Sequence, residues 1–349
     1  TIKLQSSENL TLVARAKSVA DSGLEHAWYL LRESSDGVTG TPGDPQGPFN
    51  INSDGETYTF WAESDESIPG IYRLGAHGTA GQIGRDVGVT VYVDNTFYNA
   101  AMDLDPEHYW RLGDTSGTSA ADSAGNTNGK YEKGVLKSQD GALIGEEDFA
   151  AQFDGHDDHI DVGDLKATWS KLTLMAWIYI PSTAPSTATA IVSNSTSEDV
   201  EGVLWELATV DEGGQRCLAF RLQTDKELKE VIATGEDIAR DQWHFVAAAY
   251  TGSTMTLYLD GVRVASGAQS GKLLKELEEE EEGKGKKGKG GKKKKGELWI
   301  GGRSDDSKAF AFEGWIDDVA VFSDALTDGE IAELYELRYP SIDVVAWDD

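Results

Sequence analysis

One stretch of this 349-residue chain decides its fold: residues Gln242–Ala265, QWHFVAAAYTGSTMTLYLDGVRVA. Its apolar run His244–Tyr250 ends at a Thr-Gly-Ser break, and polar and apolar side chains then alternate along Thr254–Leu259. The pair Asp260-Gly261 supplies a turn, after which the alternation resumes. Alternation with a period of two, bounded by Gly and by Asp-Gly, is typical of an antiparallel meander. We therefore expect an all-β sandwich around this stretch.

Strand-like runs continue on both sides of the meander, from Glu107 to Tyr339, and turn signals separate them at the spacing seen in β-sandwiches. Leu172–Ile180 is apolar throughout and predicts a buried strand. Apolar residues three positions apart predict a helix over Asp324–Leu337. This region is therefore predicted to be mainly β, with two antiparallel sheets.

The strings of this region also carry a resemblance when they are taken together. In order, they are YWRLGD, DSAGNTNGKY, AAQFDGHDDHIDV, LTLMAWIYI, WHFVAAAYTGSTMTLYLDGVRV, LWIGGR and GWIDDVAVFSDALTDGEIAELY. Residues 107–340 thus resemble the laminin-G-like jelly roll of the concanavalin A-like lectin/glucanase superfamily. The resemblance implies a two-sheet antiparallel jelly-roll sandwich, a structural calcium ion, and binding of glycans or proteins without catalysis.

The N-terminal region has a different pattern. Apolar residues spaced by three and four predict a helix over residues 1–33, and strand-like runs follow at Thr57–Ala62, Gly70–His77 and Asp86–Val93. A long helix followed by a small antiparallel sheet is an α+β unit. An ordinary amphipathic helix packed on a sheet accounts for the pattern without any special function.

Two strings of the helix, NLTLVAR from Asn9 and ADSGLEHA from Ala20, resemble the helix of type IV pilin-like proteins, in particular minor pilins. The resemblance implies contact with other pilin subunits through this helix. Only Ile2 and Leu4 stand where that family has an apolar half-helix. We therefore expect a truncated chain, which would meet a membrane only through a missing N-terminal segment.

These patterns predict a domain layout, which places a pilin-like α+β domain at 1–96, a junction at 97–106, the jelly roll at 107–340 and a tail at 341–349. A charged low-complexity insertion at 271–296 interrupts the jelly roll. Within it, acidic residues precede a Gly/Lys tract over Glu276–Lys295, so its two halves carry opposite charge. It is either a solvated loop that folds back through charge pairs or a basic grip on an acidic partner.

The net charge of −30, from 31 basic and 61 acidic residues, argues against nucleic acid and anionic lipid as partners, because both require positive patches. The chain has no apolar run long enough to span a membrane. Its one cysteine, Cys217, has no internal partner for a disulfide. From the two resemblances we expect an extracellular protein, located at the cell surface or on a pilus.

Calcium requires roughly six to eight oxygen ligands from carboxylates, amides and carbonyls. By the resemblance, the candidate ligands are Asp122, Asn126, Asn128, Asp154 and Asp317. Alternation along the closing strand is expected to send either Asp317 or Asp318 inward, where it needs a partner or a metal. Local turn chemistry is the alternative, because Asx-turns also use Asp122 and Asn126, and Asp154-Gly155 is itself a turn signal.

The sequence argues against catalysis. Glycosidases of the superfamily use two carboxylates on one strand in an E-x-D-x-x-E pattern, which we do not find, and the run Glu206–Glu212 has the wrong spacing. Three loops are candidate ligand-binding ends: Pro181–Ala190, Ser193–Glu201 and Gly302–Lys308. Five tryptophans lie in apolar runs and are interpreted as core more than as sugar platforms: Trp177, Trp205, Trp243, Trp299 and Trp315.

The expected function is adhesion to, or recognition of, a glycan or surface protein without catalytic turnover. The pilin-like domain is expected to mediate assembly, and the jelly roll is expected to be displayed for ligand binding. Two alternatives stay open. The sandwich could serve only as decoration on a structural filament subunit, or the chain could be a polysaccharide-active enzyme of the glucanase superfamily.

Overall fold

The computed structural model describes residues 2–33, 41–52, 55–65, 71–94, 96–143, 149–165, 169–197, 199–278, 293–304, 310–339 and 341–348. The chain divides into two compact units. The first consists of Thr1–Asn99, Leu143–Glu147 and Leu337–Asp349, and the second of Ala100–Ala142 and Asp148–Glu336. Most of the predicted charged tract, residues 279–292, lies outside the described residues.

Three α-helices occur in the described part of the chain: α1 (Ile2–Glu33), α2 (Thr96–Asp103) and α3 (Asp328–Glu336). The strands of its first half are β1 (Gln46–Asn50), β2 (Thr57–Ser64), β3 (Ile71–Ala80), β4 (Ile83–Asp94), β5 (His108–Trp110), β6 (Ser119–Ala120), β7 (Gly129–Glu132), β8 (Leu136–Asp140), β9 (Phe149–Asp154), β10 (His159–Gly163) and β11 (Leu172–Tyr179). The remaining strands are β12 (Thr189–Ser195), β13 (Val203–Glu212), β14 (Gln215–Gln223), β15 (Leu228–Ile232), β16 (Trp243–Tyr250), β17 (Thr254–Leu259), β18 (Val262–Ala268), β19 (Glu276–Glu278), β20 (Lys293–Lys295), β21 (Glu297–Ile300), β22 (Glu313–Phe322) and β23 (Ser341–Asp348).

In the first unit, α1 packs against a five-stranded antiparallel sheet of order β1-β2-β3-β4-β23. The predicted apolar stripe supplies the helix side of this core, with Leu24, Ala27 and Leu31 buried, but Leu10 is exposed. The helix and the sheet approach each other closely at Gly78, where an added Cβ would lie 2.2 Å from the backbone nitrogen of Ala20. Small residues therefore set this helix–sheet distance.

The last strand corrects the predicted C-terminal tail at 341–349. Strand β23 pairs antiparallel with β4, from Ser341 opposite Asp94 to Asp348 opposite Gly88. The C-terminal residues thus complete the sheet that α1 covers. The predicted junction at 97–106 likewise contains most of helix α2.

The second unit is a sandwich of two antiparallel sheets. Sheet I has the order β15-β14-β13-β12-β21-β10-β7-β6, and sheet II has the order β18-β17-β16-β11-β22-β9-β8, with β5 also paired to β22. One large cluster of buried side chains lies between them. The prediction of a mainly β sandwich, preceded by a helix on a small sheet, is confirmed.

Strand β11 lies at the centre of sheet II. It pairs with β16 without interruption, from Leu172 opposite Tyr250 to Tyr179 opposite Trp243, and it pairs with β22 on its other side. The inward side chains of β11 join the sandwich core. On its outward face, Trp177 stacks on Tyr335 of α3, with ring centroids 6.0 Å apart. Helix α3 therefore covers part of the outer face of sheet II.

The described ends of the charged insertion form a two-stranded ribbon of β19 and β20. Its strands carry opposite charge, and Lys293 Nζ lies 2.8 Å from Glu276 Oε1. None of the helices among the described residues combines the length and the hydropathy that crossing a membrane requires.

Candidate functional site

Asp122, the first predicted calcium ligand, organises its own loop. Its carboxylate accepts hydrogen bonds from the backbone N–H groups of Tyr109, Gly125 and Thr127 at 2.9, 2.9 and 3.0 Å. It also lies 2.8 Å from His108 Nδ1. Both carboxylate oxygens are thus engaged by groups of the protein.

These contacts also set the ionisation of Asp122. Burial alone would raise the pKa of this carboxyl, but the hydrogen bonds from His108, Tyr109, Gly125 and Thr127 outweigh burial and lower the pKa to about 2. Asp122 is therefore an anion that fastens strand β5 to the loop that follows β6.

The two predicted asparagine ligands of this loop are exposed. The Oδ1 atom of Asn128 accepts a hydrogen bond of 3.0 Å from the backbone N–H of Asp122, which is an internal loop contact. A role of Asp122, Asn126 and Asn128 as metal ligands stays a prediction.

Asp317 is fully buried in β22, where its carboxylate accepts hydrogen bonds from the backbone N–H groups of Ala142 at 2.8 Å and Asp318 at 2.9 Å. Asp317 and Asp318 are both fully buried, so burial does not distinguish an inward from an outward member of the pair, and that expectation stays a prediction. A register irregularity opposite β11 and the positive φ of 47° at Asp318 break the alternation. The Tyr109 hydroxyl donates to Asp318 Oδ1 at 2.5 Å.

Asp154 belongs to an acidic cluster that the sequence prediction missed in part. The carboxylate oxygens of Asp154, Asp157 and Asp158 lie within 4.8 Å of one another, which makes them a group that can hold a metal ion such as Ca²⁺. It is the one such group of His, Cys, Asp or Glu among the described residues, so Asp122 and Asp317 lie in none. The paired aspartates in the string HDDH were the available signal.

Asp158 is the buried member of the acidic cluster. Burial, followed by the negative charge of Asp154 and Asp157, raises its pKa from 3.8 to about 6. A divalent cation would offset the repulsion that causes this shift.

Glu206, from the run that lacked glycosidase spacing, is fully buried and bound by two guanidinium groups. Arg303 donates to it through Nε at 2.5 Å and Nη2 at 2.7 Å, and Arg221 donates through Nη1 at 2.5 Å. Burial opposes ionisation, but the hydrogen bonds and charges of Arg303 and Arg221 prevail and lower the pKa of Glu206. A carboxylate held ionised in this way is unsuited to donate a proton to a leaving group.

Three aromatic side chains form a row on the outer face of sheet II, beyond the part that α3 covers. Tyr179 lies opposite Trp243 of β16 on one side and opposite Trp315 of β22 on the other. The Tyr179 ring meets the indoles edge to face, with centroid distances of 5.8 Å to Trp243 and 5.0 Å to Trp315. All three are half-buried, whereas Trp177, two residues before Tyr179, is fully buried.

This row lines a cavity of about 330 Å³, which we call the aromatic groove, and whose other lining residues are Gln139 and Asp140 of β8. Its volume falls within the range typical of small-molecule sites. A register irregularity in β8, at which Ser138 has a φ of +57°, determines where Gln139 and Asp140 lie. The groove thus combines apolar rings with an amide and a carboxylate.

The backbone around the groove holds the row in place. Gly314, with a φ of +141°, precedes Trp315, and an added Cβ would lie 2.1 Å from the carbonyl oxygen of Tyr179. The Asp241 carboxylate accepts a hydrogen bond of 2.7 Å from Ser182 N, which ties the segment before Trp243 to the predicted ligand loop Pro181–Ala190. The rings therefore stand on a fixed scaffold.

The five tryptophans that were interpreted as core from the sequence fall into three groups. Trp177 and Trp205 are core residues, as interpreted from the sequence. Trp243 and Trp315 line the aromatic groove, and Trp299 stacks on His159 with centroids 3.7 Å apart. Trp315 alternates with the core residue Ile316, and this was the signal that could have placed it on the outer face.

The family of the chain follows from its sequence. The laminin G model of the concanavalin A-like lectin/glucanases superfamily matches residues 154–332, just over half of the chain. The chain belongs to this superfamily. Among curated protein sequences, none matches it.

Solved structures resemble the chain at low identity. Domain 4 of the extracellular arabinanase AbnA from Geobacillus stearothermophilus, in complex with arabinotriose, is 15% identical with a TM-score of 0.47, over 66% of this chain and 98% of that one. The ligand-binding domain of botulinum neurotoxin serotype D, in complex with N-acetylneuraminic acid, is 17% identical with a TM-score of 0.45, over 68% of this chain and 52% of that one.

The contacts of Asp122 predict that it is required for stability without any metal. Replacing Asp122 with Ala leaves several backbone N–H groups without their acceptor, and we expect it to reduce the free energy of unfolding by about 2 kcal/mol at pH 7 in the presence of EDTA. Because the folded pKa is lowered, this contribution is complete above the unfolded pKa of about 4 and is lost as the pH falls towards 2. Urea unfolding at several pH values measures the difference.

The variant Asp122→Asn retains one acceptor oxygen and serves as the control, with an intermediate loss of stability. If Asp122→Ala matched the unaltered protein in EDTA and differed from it only when calcium was present, Asp122 would be a metal ligand after all.

Proposed function

We propose that the sandwich binds carbohydrate in the aromatic groove without cleaving it. The observation that carries this proposal is the row of Tyr179, Trp243 and Trp315 along one wall of an open cavity. Ring faces of Trp and Tyr are apolar and electron-rich, so they suit the C–H face of a pyranose ring. Gln139 and Asp140 supply polar partners for sugar hydroxyl groups.

The chemistry of the groove supports binding rather than hydrolysis. Glycoside hydrolysis requires two carboxyl groups that flank the scissile bond. The described lining of the groove includes one carboxylate, that of Asp140. Glu206, the buried carboxylate of sheet I, is occupied by Arg303 and Arg221.

The proposal predicts that the indoles of the groove carry the affinity. Replacing Trp243 or Trp315 with Ala removes a stacking surface, and each change is expected to weaken glycan binding about tenfold, or about 1.4 kcal/mol. A glycan array identifies the ligands, and calorimetry with an array hit measures the effect of each variant.

The matched control is Trp347→Ala, because Trp347 lies in β23 of the first unit and is 66% exposed. This variant is expected to bind as the unaltered protein does. Equal binding by all three variants, with unchanged melting temperatures, would refute the groove as the site. Cleavage products in the glycan incubations would instead favour a polysaccharide-active enzyme.

We further propose that the cluster of Asp154, Asp157 and Asp158 binds a structural Ca²⁺ ion. The mutual repulsion of the three carboxylates, of which that of Asp158 is buried, supports a cation at this position. Millimolar calcium is expected to raise the melting temperature above its value in EDTA by about 5 °C, because an ion that binds only the folded state stabilises it.

The variant Asp158→Asn is expected to abolish this calcium-dependent shift, whereas the exposed control Glu201→Gln keeps it. Identical melting curves in calcium and in EDTA, or an undiminished shift in Asp158→Asn, would remove the calcium site from the proposal.

We also propose that the protein is displayed at the cell surface, with the unit of α1 and its sheet as the assembly end of a pilus-associated subunit. The helix packed on a small antiparallel sheet supports this assignment. Immunogold labelling of the cells that produce the protein is expected to mark surface fibres. Label confined to the cell interior would contradict it, and labelled fibres with a blank glycan array would favour a purely structural filament subunit.

A further inference from the structure

We infer that the aromatic groove selects uncharged sugars over carboxylated ones, and that Asp140 is the residue that sets this selectivity. The inference rests on the proposed binding of carbohydrate in the groove. It concerns which class of sugar is accepted, and it follows from the charges in and around the groove.

The described lining of the groove carries one formal charge, and that charge is negative. Asp140 is exposed, and the other lining residues are Gln139 and the three aromatic side chains. A sugar carboxylate in this cavity would meet a like charge next to apolar rings, which screen charge less than water does. The net charge of −30 adds a repulsive field at longer range.

Basic residues near these positions in sequence are engaged elsewhere. Lys137 Nζ donates to the carbonyl oxygen of Gly117 at 2.5 Å and lies over the ring of Tyr131. Arg240, three residues before Trp243, donates to the carbonyl oxygen of Ala184 and to Ser186 Oγ, at 2.5 and 2.6 Å.

Lys137 and Arg240 are not among the described residues that line the groove, and both already hold other partners. Recognition of an anion normally relies on such cations, and Arg in particular binds a carboxylate through two hydrogen bonds.

The same charge favours a neutral sugar. A carboxylate is an acceptor without donors, and a hydrogen bond from a hydroxyl to an ionised oxygen is stronger than one between neutral groups. The neighbouring amide of Gln139 both donates and accepts, and its Nε2 already donates to Lys137 O at 3.0 Å. Asp140 therefore accepts hydrogen bonds from sugar hydroxyl groups at the same position where it repels sugar carboxylates.

The test uses pairs of oligosaccharides that differ only in charge. Oligosaccharides of β-1,4-glucan, β-1,3-glucan and β-1,4-galactan are each compared with the form oxidised to a carboxylate at C6. At low ionic strength the full chain is expected to bind at least one neutral member, and to bind its carboxylated partner at least tenfold more weakly. The ratio should shrink at high salt, because screening weakens the repulsion.

Two variants of Asp140 test whether this residue determines the selectivity. Asp140→Asn is expected to reduce the ratio to below threefold, and Asp140→Lys to reverse the preference. Glu201→Lys is the matched control, because it changes the net charge as Asp140→Lys does, at an exposed position that does not line the groove. It is expected to retain the preference for the neutral sugar.

The outcomes separate the inference from the function on which it rests. If none of the neutral oligosaccharides binds, the proposed carbohydrate binding fails and the inference fails with it. If neutral and carboxylated forms bind equally, or if the Asp140 variants keep the original ratio, the groove binds sugars but the inferred selectivity is wrong.

Discussion

The sandwich depends on the pairing of strand β11 with β16 and β22. This pairing fixes which side chains of β11 enter the core and which reach the outer face of sheet II. On the outer face, Thr173 bonds to the segment before α3, donating to Asp324 O and accepting from Leu326 N, and Trp177 stacks on Tyr335. Tyr179 is the next outward side chain of β11, and it lies beyond the part of the sheet that α3 and the preceding segment cover. The pairing that builds the core therefore also builds the aromatic groove.

The local alternation of polar and apolar residues was enough to predict the sandwich. It was not enough to predict the aromatic groove. In the stretch Gln242–Ala265, the strands β16 to β18 lie close to where alternation and turn signals placed them. The pattern also shows that Trp315 alternates with core residues, but it does not show how far α3 extends over the sheet. Strand β23 was missed for a related reason, since its partner β4 lies more than two hundred residues earlier. Contacts between segments that are far apart in sequence, such as α3 on sheet II or β23 beside β4, leave no signal in the local sequence pattern.

The aspartates were harder to assign because one residue type serves two purposes. A carboxylate that accepts several backbone N–H groups and a carboxylate that binds calcium occupy similar Gly-rich and Asn-rich loops. In this structure Asp122 and Asp317 accept hydrogen bonds from backbone N–H groups, and so do Asp154 and Asp158, but Asp154, Asp157 and Asp158 also lie side by side. The distinction depends on which carboxylates lie together in space, and spacing along the chain does not report it.

Three carboxylates show why net charge alone says little about function. Glu206 is withdrawn from water, and two guanidinium groups offset the cost of its burial. Asp158 is also withdrawn but lies beside two other aspartates, so its environment favours a proton or a cation. Asp140 is exposed to solvent, next to a row of half-buried rings. Solvation and neighbours, more than the total of −30, determine which of them can act on a ligand.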